Sequence, residues 1–368
     1  LGIDGPDGLD AALMRLIALA GLEADVFRFG LQGGFDPDEA PAVAERLLAA
    51  RRLFKEREMS SDHDVVEPFD EALYNDQATI GQNLLFGVAI GQTFAPQNLA
   101  QNRLVSQLLD DTGLDKPLFT LGRGIAETMV EIFRGLPAEH PFFAQYSFIA
   151  AADLPLYETL LARLEAGQKP TPDQRVKLLS LAFAYSEARH RLGLLDDSMR
   201  SMLLAARHLF HERLPQHERA KIAFYDADAY NEAASVEDNI LFGRVVYGAP
   251  NAQARIEAIL MEVIAELGLK DDIARIGLGF ACGAAGKRLT PSQRQRVALA
   301  RALVKDPDLL VVNGALAVLD AATQSEIMKR VLAARTGRGV VWTLAPGQDG
   351  ALFDTVVTFE GGRLAAGA

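Results

Sequence analysis

Apolar residues recur at three- and four-residue spacing, with charges between them, over 42–56, 156–165, 172–192 and 197–212. That is the periodicity of a helix with one buried face. Stretches rich in proline, glycine and polar residues, around 35–41, 134–141 and 167–173, punctuate these helices. After about Lys305 the pattern changes, and 309–312, 339–343 and 355–359 become short apolar or β-branched runs. A helical stretch over 322–334 separates the first two, and a short loop or turn of helix separates the last two. Such alternation predicts a parallel sheet with crossover connections, so a long helical region is expected to precede a short α/β tail.

Two stretches resemble each other at an offset of 156 residues. Leu47-Leu48-Ala49-Ala50-Arg51-Arg52-Leu53-Phe54 returns as Leu203-Leu204-Ala205-Ala206-Arg207-His208-Leu209-Phe210. In the same register Tyr74-Asn75 returns as Tyr230-Asn231, and Asn83-Leu84-Leu85-Phe86-Gly87 as Asn239-Ile240-Leu241-Phe242-Gly243. The period is too long for a solenoid and points to a duplicated subdomain. A second pattern begins with Gly-Leu, continues with two apolar residues three apart and closes on Gly. It occurs at Gly21 (Val26, Phe29, Gly30), Gly113 (Leu118, Leu121, Gly122) and Gly268 (Ile273, Ile276, Gly277). It reads as a repeated helical packing unit with glycine as stop or sharp turn, not as a ligand site.

Composition narrows the classes. The 368 residues are 49% hydrophobic and 23% charged, enough for a sizeable core in two or three domains, or in one domain carrying a large insertion. A net charge of -12 gives no support for gripping a phosphate backbone, so nucleic acid is not expected as a partner. One cysteine, Cys282, excludes an intrachain disulfide and any cysteine-cluster metal site, and fits a reducing compartment. No apolar run approaches the roughly 18 residues a membrane span needs. The chain begins at Leu1, not Met, and shows no signal peptide; it reads as a fragment of something longer.

The chemistry-bearing motifs lie toward the end. The run from Leu289-Thr290-Pro291-Ser292-Gln293-Arg294-Gln295-Arg296 through Ala300-Arg301-Ala302-Leu303 to Leu309-Leu310-Val311-Val312 resembles the signature helix and following strand of the ATP-binding cassette (ABC) ATPases. Asn313 to Asp320 falls where that family has its Walker B strand end and D-loop. Residues 339–344 look like the strand ending at the switch histidine, and 353–364 like the closing hairpin. Upstream, Ser235-Val236-Glu237-Asp238-Asn239-Ile240-Leu241-Phe242-Gly243 is similar to the segment after the Q-loop, with 78–87 a second copy of it.

The resemblance implies an α/β protein with a large, mostly helical, duplicated insertion and a partial P-loop NTPase (ABC ATPase-like) core. The expected domains are 1–224, mostly helical with the first repeat copy (47–87), and 225–368, ABC ATPase-like, with the second copy beginning at 203. By resemblance, ATP and Mg²⁺ are the cofactors, and Thr290, Ser292, Gln293 and Asp320 are the nucleotide-contact residues at the signature and D-loop positions. The implied partners are the transmembrane domains of a transporter and a second nucleotide-binding domain, at the cytoplasmic face of a membrane.

The departures from the family pattern are as informative. Pro291 removes an N–H and Ser292 adds a side chain where the family has two glycines, while Thr290-Pro291 is also a well-made helix start. Asn313 and Gly314 replace the metal-holding Asp and the water-polarising Glu, Leu344 replaces the histidine, and no Q-loop glutamine stands near Asp226 or Asp70. No complete Walker A is present; Gly283-Ala284-Ala285-Gly286-Lys287-Arg288 comes nearest but lacks the first glycine, the hydroxyl and a preceding strand. His208, His211 and His217 read as a solvated basic face, because the repeat puts Arg52 and Lys55 at the first two positions. The pairs Asp196-Asp197 and Asp271-Asp272 read as turn and cap material. No catalytic residue and no protein metal site is expected, and the chain is expected not to hydrolyse ATP. The alternative is a noncatalytic pseudo-ATPase scaffold that binds a protein partner through its repeated helices.

Overall fold

The computed structural model describes residues 5–60, 64–137, 139–141, 143, 147–344 and 350–364. Helices α1 (Gly5–Leu19) and α2 (Glu23–Gln32) lead into α3 (Pro41–Met59), β1 (Val66–Pro68), α4 (Ile80–Leu85), β2 (Gly87–Ala89), α5 (Arg103–Thr112) and α6 (Asp115–Phe133). After α7 (Leu154–Glu165) and α8 (Pro172–Ala184) come α9 (Asp197–Arg213), β3 (Ile222–Phe224), α10 (Val236–Leu241), β4 (Gly243–Val245), α11 (Ala252–Glu266) and α12 (Lys270–Leu278). The chain ends with α13 (Pro291–Val304), β5 (Leu309–Val312), α14 (Ala321–Ala334), β6 (Gly339–Trp342) and the hairpin β7 (Phe359–Glu360) and β8 (Arg363–Leu364). It is mostly helical with few strands, and among the described residues no helix is long and apolar enough to cross a membrane.

Two compact units result, residues 34–269 and residues 1–33 with 270–368. The chain therefore does not divide at 224/225, and the strand pairing explains why. In the 34–269 unit β1 pairs antiparallel with β4 and β2 with β3. An offset of 156 residues turns β1 into β3 and β2 into β4, so each stretch pairs only with the other. The helices follow the same rule: α3 packs on α10 and α11, and α9 on α4 and α5.

Two buried arginines hold this exchange together. Arg207, only 1% exposed on α9, donates from Nε to the Asn83 carbonyl (2.7 Å) and from Nη2 to Asn83 Oδ1 (2.9 Å). Its Nη1 reaches the carbonyls of Asp70, Glu71 and Leu73. Arg51 on α3 repeats the arrangement on the other stretch, donating to the Asn239 carbonyl (2.8 Å), Asn239 Oδ1 (3.1 Å) and the carbonyls of Asp226 and Ala227. Each guanidinium also lies over a ring, Phe86 at 4.6 Å and Phe242 at 4.2 Å. Asn83 and Asn239 in turn pin their own loops, accepting from the N–H of Asn75 and Asn231 and donating to the same residues' carbonyls. The landmarks Arg51, Asn75, Asn83 and Phe86 with their counterparts Arg207, Asn231, Asn239 and Phe242 thus belong to these two networks, and Leu47, Ala50, Phe54, Leu203, Ala206 and Phe210 are buried on the helix faces behind them.

The closing glycines of the Gly-Leu pattern are points of backbone contact. A Cβ on Gly30 would sit 1.8 Å from the Ile273 carbonyl oxygen and one on Gly277 1.9 Å from that of Val26, so α2 and α12 meet backbone to backbone. Gly122 plays the same part between α6 and α8, where a Cβ would lie 2.0 Å from the Leu178 carbonyl oxygen. The opening glycines, Gly21, Gly113 and Gly268, all have positive φ and make the turns before these helices.

Two expected elements differ. The helix over 172–192 stops at Ala184, because Tyr185 turns extended and its carbonyl accepts from Ile80 N–H; a separate helical turn follows at Glu187–His190. The strand over 355–359 is reduced to Phe359–Glu360, which pairs only with β8. The parallel pair β5–β6 forms as expected, with Leu310 and Val312 buried against α13 and α14 and with Leu309, Val311 and Val341 exposed on the other face.

Arg207→Ala strands several buried carbonyls and is expected to lower the unfolding free energy by about 3 kcal/mol, with Arg51→Ala close behind. Arg207→Lys should recover little, since one ammonium cannot reproduce the fork. A urea midpoint unchanged in either alanine variant would refute this. Gly277→Ala should cost about 2 kcal/mol and speed amide exchange throughout α2; unchanged protection there would contradict the close contact.

Candidate functional site

Thr290, Ser292, Gln293, Asn313, Gly314, Asp320 and Leu344 all lie in the unit made by residues 1–33 and 270–368, at three places. The first is the start of α13. Thr290 is the N-cap, its Oγ1 accepting from Gln293 N–H (3.2 Å) while Gln293 Oε1 accepts from Thr290 N–H (2.9 Å), a reciprocal capping box. Gln293 Nε2 donates to Asp25 Oδ1 (2.8 Å). Ser292 Oγ accepts from Arg296 Nη2 (3.2 Å), and Arg296 reaches on to Asp25 Oδ2 (2.8 Å) and the Gly21 carbonyl. Arg296 and Asp25 are largely buried, with side chains 11% and 20% exposed. The polar side chains of the signature position are therefore engaged within the fold, clamping α13 to the turn between α1 and α2.

The second place is the carboxyl end of the parallel strand pair. Asn313 and Gly314 follow β5, and Thr343 follows β6 beside them. The Thr343 hydroxyl accepts from Gly314 N–H (2.9 Å) and donates to Asn313 Oδ1 (3.2 Å). Gly314 has φ +60, a turn conformation that suits glycine. Leu344, next in line, is half-buried and brings no polar atom. The third place is the start of α14, where Asp320 caps the helix by accepting from Thr323 N–H (2.9 Å) and Thr323 Oγ1 (2.7 Å). Those two hydrogen bonds, the backbone one first, hold its carboxyl below the usual range. Among the described residues no hydrogen bond or ion pair joins these three places to one another.

The loop resembling a Walker A is a tight turn. Gly286 N–H donates to the Gly283 carbonyl, Arg288 N–H to that of Cys282, and the next helix begins only at Pro291. The positions near the missing Q-loop glutamine lie in the 34–269 unit, where Tyr225 stacks on Phe69 at 3.9 Å and both Asp226 and Asp70 close their own turns. His211 Nε2 contacts the Leu85 carbonyl, His208 lies 4.0 Å from Glu71, and Asp196 caps α9. Among the described residues no group of three His, Cys, Asp or Glu is placed to hold a metal.

Sequence reasoning did not single out Asp25, Arg296 or Thr343. Arg296 stood within the recognised run and Asp25 within the first Gly-Leu unit, but nothing in the sequence tied the two.

The chain is 32% identical over 146 residues, 40% of its length, to the heterocyst differentiation ATP-binding protein HepA of Nostoc sp., covering 23% of that protein. It is 29% identical over 122 residues, 33% of its length, to the probable multidrug resistance ABC transporter ATP-binding/permease protein YheI of Bacillus subtilis, covering 20% of it. A longer match, 26% identical over 264 residues and 67% of the chain, is to the ATP-dependent lipid A-core flippase of Xylella fastidiosa, of which it covers 40%. The chain thus spans less than half of each of these relatives. No family model matches, and no solved structure matches. Over part of its length the chain is related to ABC transporter ATP-binding proteins.

Thr290→Ala is expected to cost about 1 kcal/mol through loss of the cap, and Arg296→Ala about 2–3 kcal/mol through loss of the clamp on Asp25 and Gly21. Denaturant titration of both variants checks the order, which the reverse ranking would overturn.

Proposed function

We propose that this chain is the nucleotide-binding-domain portion of an ABC transporter whose catalytic positions are degenerate, and that the isolated chain hydrolyses no ATP. The observation that carries the reading is the pair Asn313-Gly314 at the carboxyl end of β5, beside Thr343 at the end of β6, where open α/β sheets take their ligands. The position is right for nucleotide chemistry and the residues are not. Asn313 offers a neutral oxygen already bonded to Thr343, whereas Mg²⁺ favours carboxylates, so these residues do not fit the metal. Gly314 and Leu344 supply no base and no phosphate donor side chain. Coupling of ATP binding to transport at the cytoplasmic face, with transmembrane domains and a second nucleotide-binding domain as partners, is part of the proposal; relatives named ATP-binding/permease protein and flippase support its transport element. In this reading the similar stretches at 47–87 and 203–243 are a duplication inserted before the signature helix. The scaffold reading gains no observation, since the repeated faces of α3 and α9 are buried.

Phosphate release by the purified chain with Mg²⁺-ATP should equal that of a protein-free blank. Steady release that Asn313→Ala abolishes would overturn the reading.

A further inference from the structure

A cleft of about 760 Å³ lies within the 34–269 unit, lined by none of the residues discussed as nucleotide contacts. Its apolar wall includes Ile132 and Phe133 from the end of α6, together with Phe148. Its polar wall includes Arg189 and His190 on the turn after α8, and Arg244 and Tyr247 at the end of β4. These last two segments adjoin: the Arg191 guanidinium lies 5.9 Å from the Tyr247 ring. Among the described residues no aspartate or glutamate lines the cleft, in a chain with 49 acidic and 37 basic residues.

Among the described residues Arg189, exposed, makes no ion pair. Arg244 is partly engaged, with Asp238 Oδ1 3.9 Å from its Nη1, a hydrogen bond to Tyr225 and the Phe69 ring 5.6 Å away, while its buried Nε has no partner among the described residues. His190 packs 4.0 Å from the Phe148 ring, and its Nδ1 lies within hydrogen-bond reach of both the Ser186 N–H (3.0 Å) and the Ser186 carbonyl (2.9 Å). Burial lowers its pKa to about 4, so at neutral pH the ring is uncharged. The offset of 156 places Val88 opposite Arg244 and Gly91 opposite Tyr247, so the charged wall exists in only one of the two related stretches. A fold that needed these groups for packing alone would carry them twice, as it does Arg51 and Arg207.

We propose that this cleft binds a small organic anion, an apolar or aromatic body carrying a carboxylate, sulfonate or phosphate group. The body lies along Ile132, Phe133 and Phe148, and the anionic group is met by Arg189 and Arg244. The inference stands apart from the nucleotide reading, because it uses none of its residues.

The test uses two fluorescent probes on the full chain, anilinonaphthalene sulfonate and its uncharged analogue phenylnaphthylamine. Saturable binding of both at a single site is expected. Arg189→Glu, an exposed substitution, should weaken the sulfonate about ten-fold or more and leave the neutral probe unchanged. Ile132→Glu, at a position 54% exposed, should weaken both. Absence of saturable sulfonate binding, equal loss of both probes in Arg189→Glu, or unchanged affinities in either variant would overturn the proposal.

Discussion

A guanidinium removed from water must find a partner for each of its donors, or its burial is prohibitive. Arg51 and Arg207 meet that demand almost entirely with backbone carbonyls, offered by loops and by the last turns of the short helices α4 and α10. Desolvation pulls both down to about 10, still far above neutrality, so both remain charged inside the fold. The requirement therefore shapes the loops before it shapes anything else. Asn83 and Asn239 bend their own loops so that carbonyls converge, and the convergence point is filled by an arginine from the other stretch. Strand exchange, helix pairing and the position of the unit boundary all follow from which arginine enters which loop.

That choice of partner is what the sequence could not reveal. The repeat announced that Arg51 and Arg207 are equivalent, and so are Asn83 and Asn239, but equivalence is satisfied equally by pairing within a stretch or across stretches. Periodicity did place α3, α7, α9 and α14 within a few residues, because an apolar face spaced for a helix favours burial as one. The long helix over 172–192 failed at Tyr185 for a tertiary reason: the carbonyl there accepts from the Ile80 N–H of the first stretch, a bond that no local pattern records. The Gly-Leu pattern was legible as packing, and its closing glycines mark the backbone contacts.

At the candidate site the residues that sequence reasoning named are real landmarks with structural occupations. Thr290 and Gln293 satisfy each other, Ser292 supports Arg296, and Asp320 terminates α14. A helix start can present free N–H groups to a phosphate or cap them with its own side chains. Here Pro291 has removed one N–H and Thr290 has taken another, so the local chemistry favours the cap. The clamp through Asp25 was invisible because it spans 268 residues of sequence, from Asp25 to Gln293.

The exchange also sets the order in which the molecule can acquire its shape. During synthesis β1 emerges long before its partner β4, and Asn83 of α4 emerges 124 residues ahead of the Arg207 that fills its loop. Until then an open strand edge, a carbonyl-rich loop without its cation and an apolar helix face are all exposed together. Contacts between residues 124 to 188 apart in sequence carry a heavy loop-closure entropy, so the 34–269 unit belongs among slow-folding topologies despite its helical content. The first stretch is, for that interval, a client for chaperones and a candidate for pairing with its counterpart on a neighbouring chain.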